Sequence, residues 1–178
     1  MRIALLYPPP WKIAAPGAPA YKGTDGPPEG YRDGDLDADF YQTPWGLFSL
    51  GAQAIRAGHQ VKILNLSSYP WPRVEEILQN LDADLYGMSC WTANRRGVVL
   101  TAKLLKKLRP AAHVVVGGPH ATPLAREMLA HCREIDTISL GESDLTLMEL
   151  ADRLSRKQPT TAIAGTMFRD AGKILEGP

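Results

Sequence analysis

Five short apolar segments alternate along this chain with segments of helical periodicity, and this alternation constrains the fold more than any other feature. Each apolar segment is rich in Val, Ile or Leu, and several are apolar at successive positions, as in strands covered on both faces. The predicted strands are Arg2–Tyr7, Gln60–Leu64, Asp84–Ser89, Ala112–Gly117 and Ile135–Leu140. Strand–helix alternation predicts right-handed crossovers, and therefore a parallel sheet with helices on both faces.

Helix boundaries are predicted from capping residues and prolines. In two places a threonine precedes a proline, at Thr43–Pro44 and Thr122–Pro123, which predicts an N-cap followed by proline at the first helical position. Ser143 or Asp144 is predicted to cap the last helix. The predicted helices cover residues 44–57, 72–80, 94–108, 123–131 and 144–155.

Five such units without a second nucleotide-binding half favour a flavodoxin-like (Rossmann-like), doubly wound α/β fold with a five-stranded sheet in the order 2-1-3-4-5. Residues 1–158 are predicted to form this domain. Residues 159–178 are predicted to form a hairpin or a linker, with 163–168 turning at 170–172. Residues 8–42 form a long loop after the first strand that is rich in Pro, Gly and Asp, and a loop of this length is either a functional lid or a solvated connection.

Composition argues against several kinds of partner. The chain has 20 basic and 19 acidic residues, so its net charge of +1 provides no strong field for nucleic acid or an anionic membrane. No apolar run approaches the ~20 residues that cross a bilayer, and the amino terminus lacks the features of a signal peptide. The only two cysteines, Cys90 and Cys132, are far apart and argue against a disulfide framework or a cysteine zinc site. We therefore expect a cytoplasmic domain without nucleic-acid or membrane partners.

Ligands of an open parallel sheet bind beyond the carboxyl ends of its strands, and the loops at those ends argue against several common ligands. They contain neither GxGxxG nor GxxxxGK[ST], so a dinucleotide site or a phosphate-binding loop of the usual kind is not expected. Pro8–Pro10 follow the first strand and offer no N–H donors to a flavin phosphate. A phosphoacceptor receiver domain would carry acids at the end of the first strand and an aspartate at the end of the third, and here those places hold Pro and Ser.

Small and polar residues in these loops are the candidate binding residues. Gly117 and Gly118 would let the backbone approach a bulky ligand or adopt positive φ, although a tight turn has the same pattern. Ser89 could donate to a buried ring nitrogen, or its hydroxyl could be satisfied by the local backbone. Gly141 and Glu142 could end a strand and place an acid near a helix amino terminus.

Three motifs, taken together with their order and spacing, resemble the cobalamin-binding domain that precedes the catalytic barrel of cobalamin-dependent radical SAM enzymes. They are DLYGMSCWT at 84–92, VVVGGPHAT at 114–122 and ISLGESD at 138–144. The segments WGLFSLGA at 45–52 and GHQVKIL at 58–64 fit the same pattern. The resemblance extends from Arg2 to about Arg169.

This resemblance implies a flavodoxin-like fold that takes the nucleotide tail of cobalamin between the sheet and the helices. It implies that Ser89 lies near the dimethylbenzimidazole, that Gly117 and Gly118 lie along the tail, and that Gly141 and Glu142 close the pocket. No residue of the chain is expected to be catalytic or to ligate a metal. The full set of expected cofactor-binding residues is Pro9, Pro10, Ser89, Cys90, Trp91, Thr92, Gly117, Gly118, Pro119, His120, Gly141 and Glu142.

The lower face of cobalt is expected to lack a histidine ligand. Corrinoid carriers of the same fold have a DxHxxG motif after the first strand, whose histidine ligates cobalt, and the corresponding loop here contains no histidine. The resemblance therefore implies base-off cobalamin without a histidine ligand. Trp91 could face the lower side of cobalt and exclude water, or it could pack against the corrin edge or a helix.

The chain lacks the CxxxCxxC motif that holds the cluster of a radical SAM enzyme. We therefore expect that it precedes a radical SAM barrel in a longer chain, and that this barrel binds the [4Fe-4S] cluster and S-adenosylmethionine. By resemblance, the whole enzyme would transfer a methyl group from S-adenosylmethionine to a substrate carbon. Two alternatives stay open: a stand-alone cobalamin carrier or sensor, and a flavodoxin-like interaction domain without a ligand.

Overall fold

The computed structural model describes residues 1–10 and 43–178 of the protein. The strands are β1 (Arg2–Tyr7), β2 (Gln60–Asn65), β3 (Leu85–Ser89), β4 (His113–Gly117), β5 (Thr137–Ser139), β6 (Thr166–Asp170) and β7 (Lys173–Glu176). The helices are α1 (Trp45–Arg56), α2 (Trp71–Gln79), α3 (Arg95–Leu108), α4 (Ala125–His131) and α5 (Asp144–Ser155). Apart from Pro8–Pro10, the predicted loop at 8–42 lies outside the described residues.

The strands form one sheet in the order β2-β1-β3-β4-β5-β6-β7. The first five are parallel, which confirms the predicted order 2-1-3-4-5. The predicted number of five strands is wrong for the described part of the chain, because β6 pairs antiparallel with β5, and β7 pairs antiparallel with β6. The added hairpin is held to the sheet by buried Met167 and Phe168, a short apolar segment that was a weak signal in the sequence. The domain boundary at residue 158 stays a prediction.

Helices cover both faces of the sheet, as predicted for a doubly wound fold. Successive strand residues point to opposite faces, so Leu6 joins the apolar cluster that includes residues of α2, α3 and α4, while Leu5 joins the cluster that includes residues of α1 and α5. Both side chains are fully buried. Within residues 43–178, no helix combines the length and the apolar character needed to cross a membrane.

Two helix starts differ from the prediction. Helix α1 begins at Trp45 with Pro44 in the N-cap position, and α4 begins at Ala125. Thr43 and Thr122 are therefore not side-chain N-caps of these helices. The Thr122 Oγ1 instead donates to the carbonyl of Gly118 at 3.2 Å and accepts from the backbone N–H of Gly141 at 3.1 Å. These bonds join the loops after β4 and β5. The Thr122 side chain therefore stabilises the loops rather than the start of α4.

Candidate cofactor site

A cavity of about 660 Å³ opens at the carboxyl ends of β1, β3, β4 and β5, between the sheet and helices α1 and α5. Its size falls within the roughly 300–1,000 Å³ that small-molecule sites occupy. Apolar side chains of the sheet and of α5 form part of its lining, among them Leu5, Val115 and Leu147. The cavity lies where an open parallel sheet places its ligands.

Most of the binding residues predicted from the sequence line the cavity. Seven of the twelve line it: Ser89, Trp91, Gly117, Gly118, Pro119, Gly141 and Glu142. The other five lie beside it without lining it: Pro9, Pro10, Cys90, Thr92 and His120. The loops after β3, β4 and β5 therefore meet in one place, as the strand order requires.

Two glycines at the end of β4 keep this side of the cavity open. A Cβ atom on Gly117 would lie 3.1 Å from the Oγ of Ser143 and 3.6 Å from the Cβ of Ser139. Gly118 has φ of +104°, and a Cβ there would lie 2.8 Å from the carbonyl oxygen of Cys90. Residues other than glycine rarely adopt that backbone conformation. Glycine is therefore required at 118 both for its φ angle and for the space around its Cα.

Asn94 holds the loops after β1 and β3 together. It is fully buried, and its Nδ2 donates to the carbonyls of Pro8 at 3.2 Å and Ser89 at 3.1 Å. Its Oδ1 accepts the backbone N–H of Trp91 at 2.7 Å. Asn94 therefore fixes the backbone from which Trp91 extends into the cavity lining.

The helix α3 approaches the loop after β1 very closely. A Cβ atom on Gly97 would lie 2.1 Å from the carbonyl oxygen of Pro9, so this approach requires glycine at 97. Pro9 and Pro10 are both buried, and neither lines the cavity. Pro9 contacts α3 through its backbone.

Cys90 and His120 do not line the cavity. Burial raises the pKa of the Cys90 thiol to about 12, so this cysteine is an unreactive core residue at neutral pH. The His120 Nδ1 is 3.1 Å from the Oγ1 of Thr92. Partial burial, and secondarily the nearby Arg95 guanidinium, lower the pKa of His120 below its usual value. His120 is therefore mainly neutral at pH 7.

The remaining histidines are not in the cavity lining. His59 lies near the amino terminus of the chain, with its Nδ1 3.5 Å from the Met1 nitrogen. The Nε2 of His113 is 2.9 Å from the Oγ1 of Thr137, and burial lowers the pKa of this imidazole. His131 ends α4. Among residues 1–10 and 43–178, no three His, Cys, Asp or Glu side chains form a cluster that could hold a metal.

Several residues of the cavity lining were missed by sequence reasoning. Tyr7 at the end of β1 lines the cavity, and burial raises the pKa of its phenol to about 12. Thr122, Ser139 and Ser143 supply hydroxyl groups at the ends of β4 and β5. Ser139 and Ser143 stand in the ISLGESD motif, but their approach to Gly117 follows from the register of β4 and β5, which the sequence does not show.

The fold and this cavity together define a small-molecule-binding domain of the flavodoxin-like α/β class. The sequence profile of the B12 binding domain family matches residues 35–151. This protein belongs to the B12 binding domain family, which confirms the resemblance read from its motifs, and the cofactor of that family is cobalamin.

Relatives of the chain include methyltransferases. It is 31% identical over 137 residues to "Uncharacterized methyltransferase PH0819" of Pyrococcus horikoshii, a match that covers 76% of this chain and 30% of the relative. It is 31% identical over 107 residues to the cobalamin-dependent radical SAM methyltransferase TokK of Streptomyces tokunonensis, covering 59% and 16% of the two chains. The matched region is thus less than a third of each of these relatives.

The solved structure of the radical S-adenosylmethionine methyltransferase TsrM from Kitasatospora setae with cobalamin and a [4Fe-4S] cluster bound has the same fold. The TM-score is 0.72 at 16% identity, and the match covers 99% of this chain and 30% of that one. At this identity the similarity establishes the fold alone.

The residues of the cavity fit a cobalamin tail. The two glycines leave backbone surface open for a bulky group, and the apolar lining suits an aromatic base. Ser139 Oγ is a buried hydroxyl with no hydrogen-bond partner among the described residues, so a polar ligand atom would satisfy it. Volume, shape and polarity therefore agree with the cofactor of the family.

Proposed function

We propose that this chain is the cobalamin-binding module of a longer radical SAM methyltransferase. One observation carries the proposal: a chain of the B12 binding domain family has an open cavity at the switch point of its sheet, lined by Gly117, Gly118 and Ser89. When bound, cobalamin supplies the cobalt chemistry for transferring a methyl group from S-adenosylmethionine to a substrate carbon. The role of the chain is to bind and orient that cofactor.

Each group of lining residues has a part in binding. Ser89 lies near the dimethylbenzimidazole, and the backbone of Gly117 and Gly118 follows the nucleotide tail. Gly141 and Glu142 close the mouth of the cavity. Asn94 is a positioning residue, because it fixes the backbone of Trp91 and joins the loops after β1 and β3.

The chain would hold cobalamin in the base-off state, with no histidine to ligate cobalt. Support comes from the described lining, which contains no histidine, and from His120, which is hydrogen-bonded to Thr92 outside it. The indole of Trp91 would face the lower side of cobalt and would exclude water there. Trp91 is 37% exposed at the cavity, so its ring is available to a ligand.

The rest of the enzyme is a radical SAM barrel in the same longer chain. That barrel holds the [4Fe-4S] cluster and S-adenosylmethionine, and it provides the substrate pocket. The relative TokK is named a cobalamin-dependent radical SAM methyltransferase, and another relative, from Streptantibioticus cattleyicolor, is named 2-(S-pantetheinyl)-carbapenam-3-carboxylate methyltransferase. The protein works in the cytoplasm, with no nucleic-acid or membrane partner.

The binding proposal is tested by mixing the folded protein with excess hydroxocobalamin, followed by gel filtration and calorimetry. The expected result is co-elution of corrinoid colour at one equivalent and measurable heat of binding. Colourless protein that gives no heat would contradict the proposal. A CxxxCxxC motif in the longer chain, with methylation of a substrate by the reconstituted enzyme, separates the methyltransferase from a carrier or sensor.

The proposed role of Trp91 is tested with Trp91→Ala and Trp91→Phe. If the indole excludes water, the alanine variant gains a water ligand, and the absorption and electron paramagnetic resonance spectra of its bound Co(II) cobalamin change. The phenylalanine variant keeps an apolar ring and should retain most of the wild-type spectrum. An unchanged spectrum in the alanine variant would contradict the proposed role of Trp91 without affecting the binding proposal.

A further inference from the structure

Most buried threonine and serine residues of the described strands and helices have hydrogen-bond partners, and Ser139 does not. Three of them make hydrogen bonds: Thr137 with His113, Thr146 with the carbonyl of Ala164, and Thr166 with the carbonyl of Ile163. Ser139 is 2% exposed, and its Oγ has no partner among the described residues. A buried hydroxyl without a partner is unfavourable, so this group calls for an explanation.

The position of Ser139 supplies that explanation. It ends β5, lines the cavity, and lies beside the open position at Gly117, where an added Cβ would be 3.6 Å from the Cβ of Ser139. The other unpartnered buried hydroxyl, on Thr101, belongs to α3 and does not line the cavity. Ser139 is thus the described hydroxyl that is buried, unpartnered and at the ligand cavity.

We propose that Ser139 donates a hydrogen bond to the lower base of cobalamin, and that this bond makes the chain select corrinoids by their lower base. The inference rests on the proposed cobalamin function. In base-off cobalamin, the ring nitrogen that would otherwise bind cobalt is a free acceptor. Inside a cavity with Leu5, Val115 and Leu147 in its lining, that nitrogen needs a donor from the protein.

The test uses variants and ligands in one thermodynamic cycle. Dissociation constants of cobalamin and of cobinamide, which has the same corrin ring but no lower base, are measured for the wild type and for Ser139→Ala. The alanine variant should bind cobalamin about tenfold more weakly, as expected for an acceptor left unpaired in a buried site. Its affinity for cobinamide should not change.

A control variant and a third ligand make the test specific. Ser89→Ala removes the other serine proposed to lie near the base, and it should weaken cobalamin binding less than Ser139→Ala does. A phenolic corrinoid, whose lower ring lacks the nitrogen, should bind the wild type about tenfold more weakly than cobalamin and should not distinguish the wild type from Ser139→Ala. The phenolic comparison on the wild type needs no variant, so it stands even if Ser139→Ala folds poorly.

The outcomes separate this inference from the proposed function. If the wild type binds neither cobalamin nor cobinamide, the proposed function fails. If the wild type binds both but Ser139→Ala leaves the cobalamin affinity within twofold, or weakens both ligands equally, then Ser139 is not the donor to the base. Equal affinity of the wild type for cobalamin and the phenolic corrinoid would also overturn the inference.

Discussion

The amino and carboxyl ends of the parallel strands are built from different kinds of side chain. At the amino end, ion pairs join neighbouring elements: Arg2 contacts Asp82 and Asp84, and the Nζ of Lys106 lies 2.7 Å from an oxygen of Asp136. At the carboxyl end, glycines and hydroxyl groups surround a cavity, and one buried hydroxyl has no partner among the described residues. The amino end satisfies its polar groups internally, whereas the carboxyl end leaves room and hydrogen-bonding capacity for a ligand.

Exposed apolar side chains also lie at the carboxyl end of the strands. Trp45 is 75% exposed at the start of α1, and Leu145 is 85% exposed at the start of α5. Both helices begin at the carboxyl end of the strands, next to the cavity. We therefore expect substitutions at the amino end to change stability without changing cobalamin binding, and substitutions at the carboxyl end to change binding.

The largest effect is expected for Gly118→Ala. The alanine must adopt φ of +104°, and its Cβ would lie 2.8 Å from the carbonyl oxygen of Cys90. Strain and crowding together should lower the free energy of unfolding by about 3 kcal/mol. Because the wall of the cavity must move, cobalamin affinity should fall about tenfold or more. Urea unfolding and cobalamin titration measure the two effects.

Gly172→Ala is the matched control at the other end of the sheet. Gly172 has φ of +80° in the turn between β6 and β7, and no atom lies within 4 Å of its added Cβ. This variant should lose only about 1 kcal/mol, and its cobalamin affinity should equal that of the wild type. If both variants lose the same stability, the contact between the added Cβ at 118 and Cys90 has no energetic cost. Weaker cobalamin binding by Gly172→Ala would contradict the expectation that only the carboxyl end of the strands affects binding.

The strands could be predicted because buried parallel strands leave continuous apolar runs, as in Arg2–Tyr7. Their order followed from five strand–helix units without a second nucleotide-binding half. The loops that form the cavity followed from that order. Ser139 and Asn94 could not be assigned, since their importance depends on register and on contacts with residues distant in sequence, such as Pro8. The helix start at Thr122 was wrong for the same reason: the local capping rule was overridden by a tertiary bond to Gly141.

A smaller effect is expected for Asp84→Asn at the amino end. The hydrogen-bonded Arg2 guanidinium lowers the pKa of Asp84 below its usual value. The Asp84 side chain is 42% exposed, so solvent screens the pair, and the variant should melt at most about 3 °C lower at pH 7. A lowered pKa stabilises the folded state above the usual carboxyl pKa, and that stabilisation is lost as the pH falls through the folded value.

Melting curves between pH 7 and pH 2 test this expectation, because the difference between the wild type and Asp84→Asn should shrink below about pH 4. Cobalamin affinity at neutral pH should be the same for both proteins. A constant difference at every pH would assign the effect to packing rather than charge. A change in cobalamin affinity would mean that the two ends of the sheet are coupled.

The smallest effect compares two histidines at opposite ends of the sheet. Burial is the main cause of the lowered pKa of both His120 at the carboxyl end and His113 at the amino end, but only at His120 does Arg95 lower the pKa further. Arg95→Gln should therefore raise the pKa of His120 and leave that of His113 unchanged, as measured by NMR titration. Since the folded state binds the His120 proton more weakly, its stabilising contribution is lost as the pH falls from about 6.5 through the folded value. An equal shift at His113 would show that the charge of Arg95 acts across the whole sheet rather than at one end.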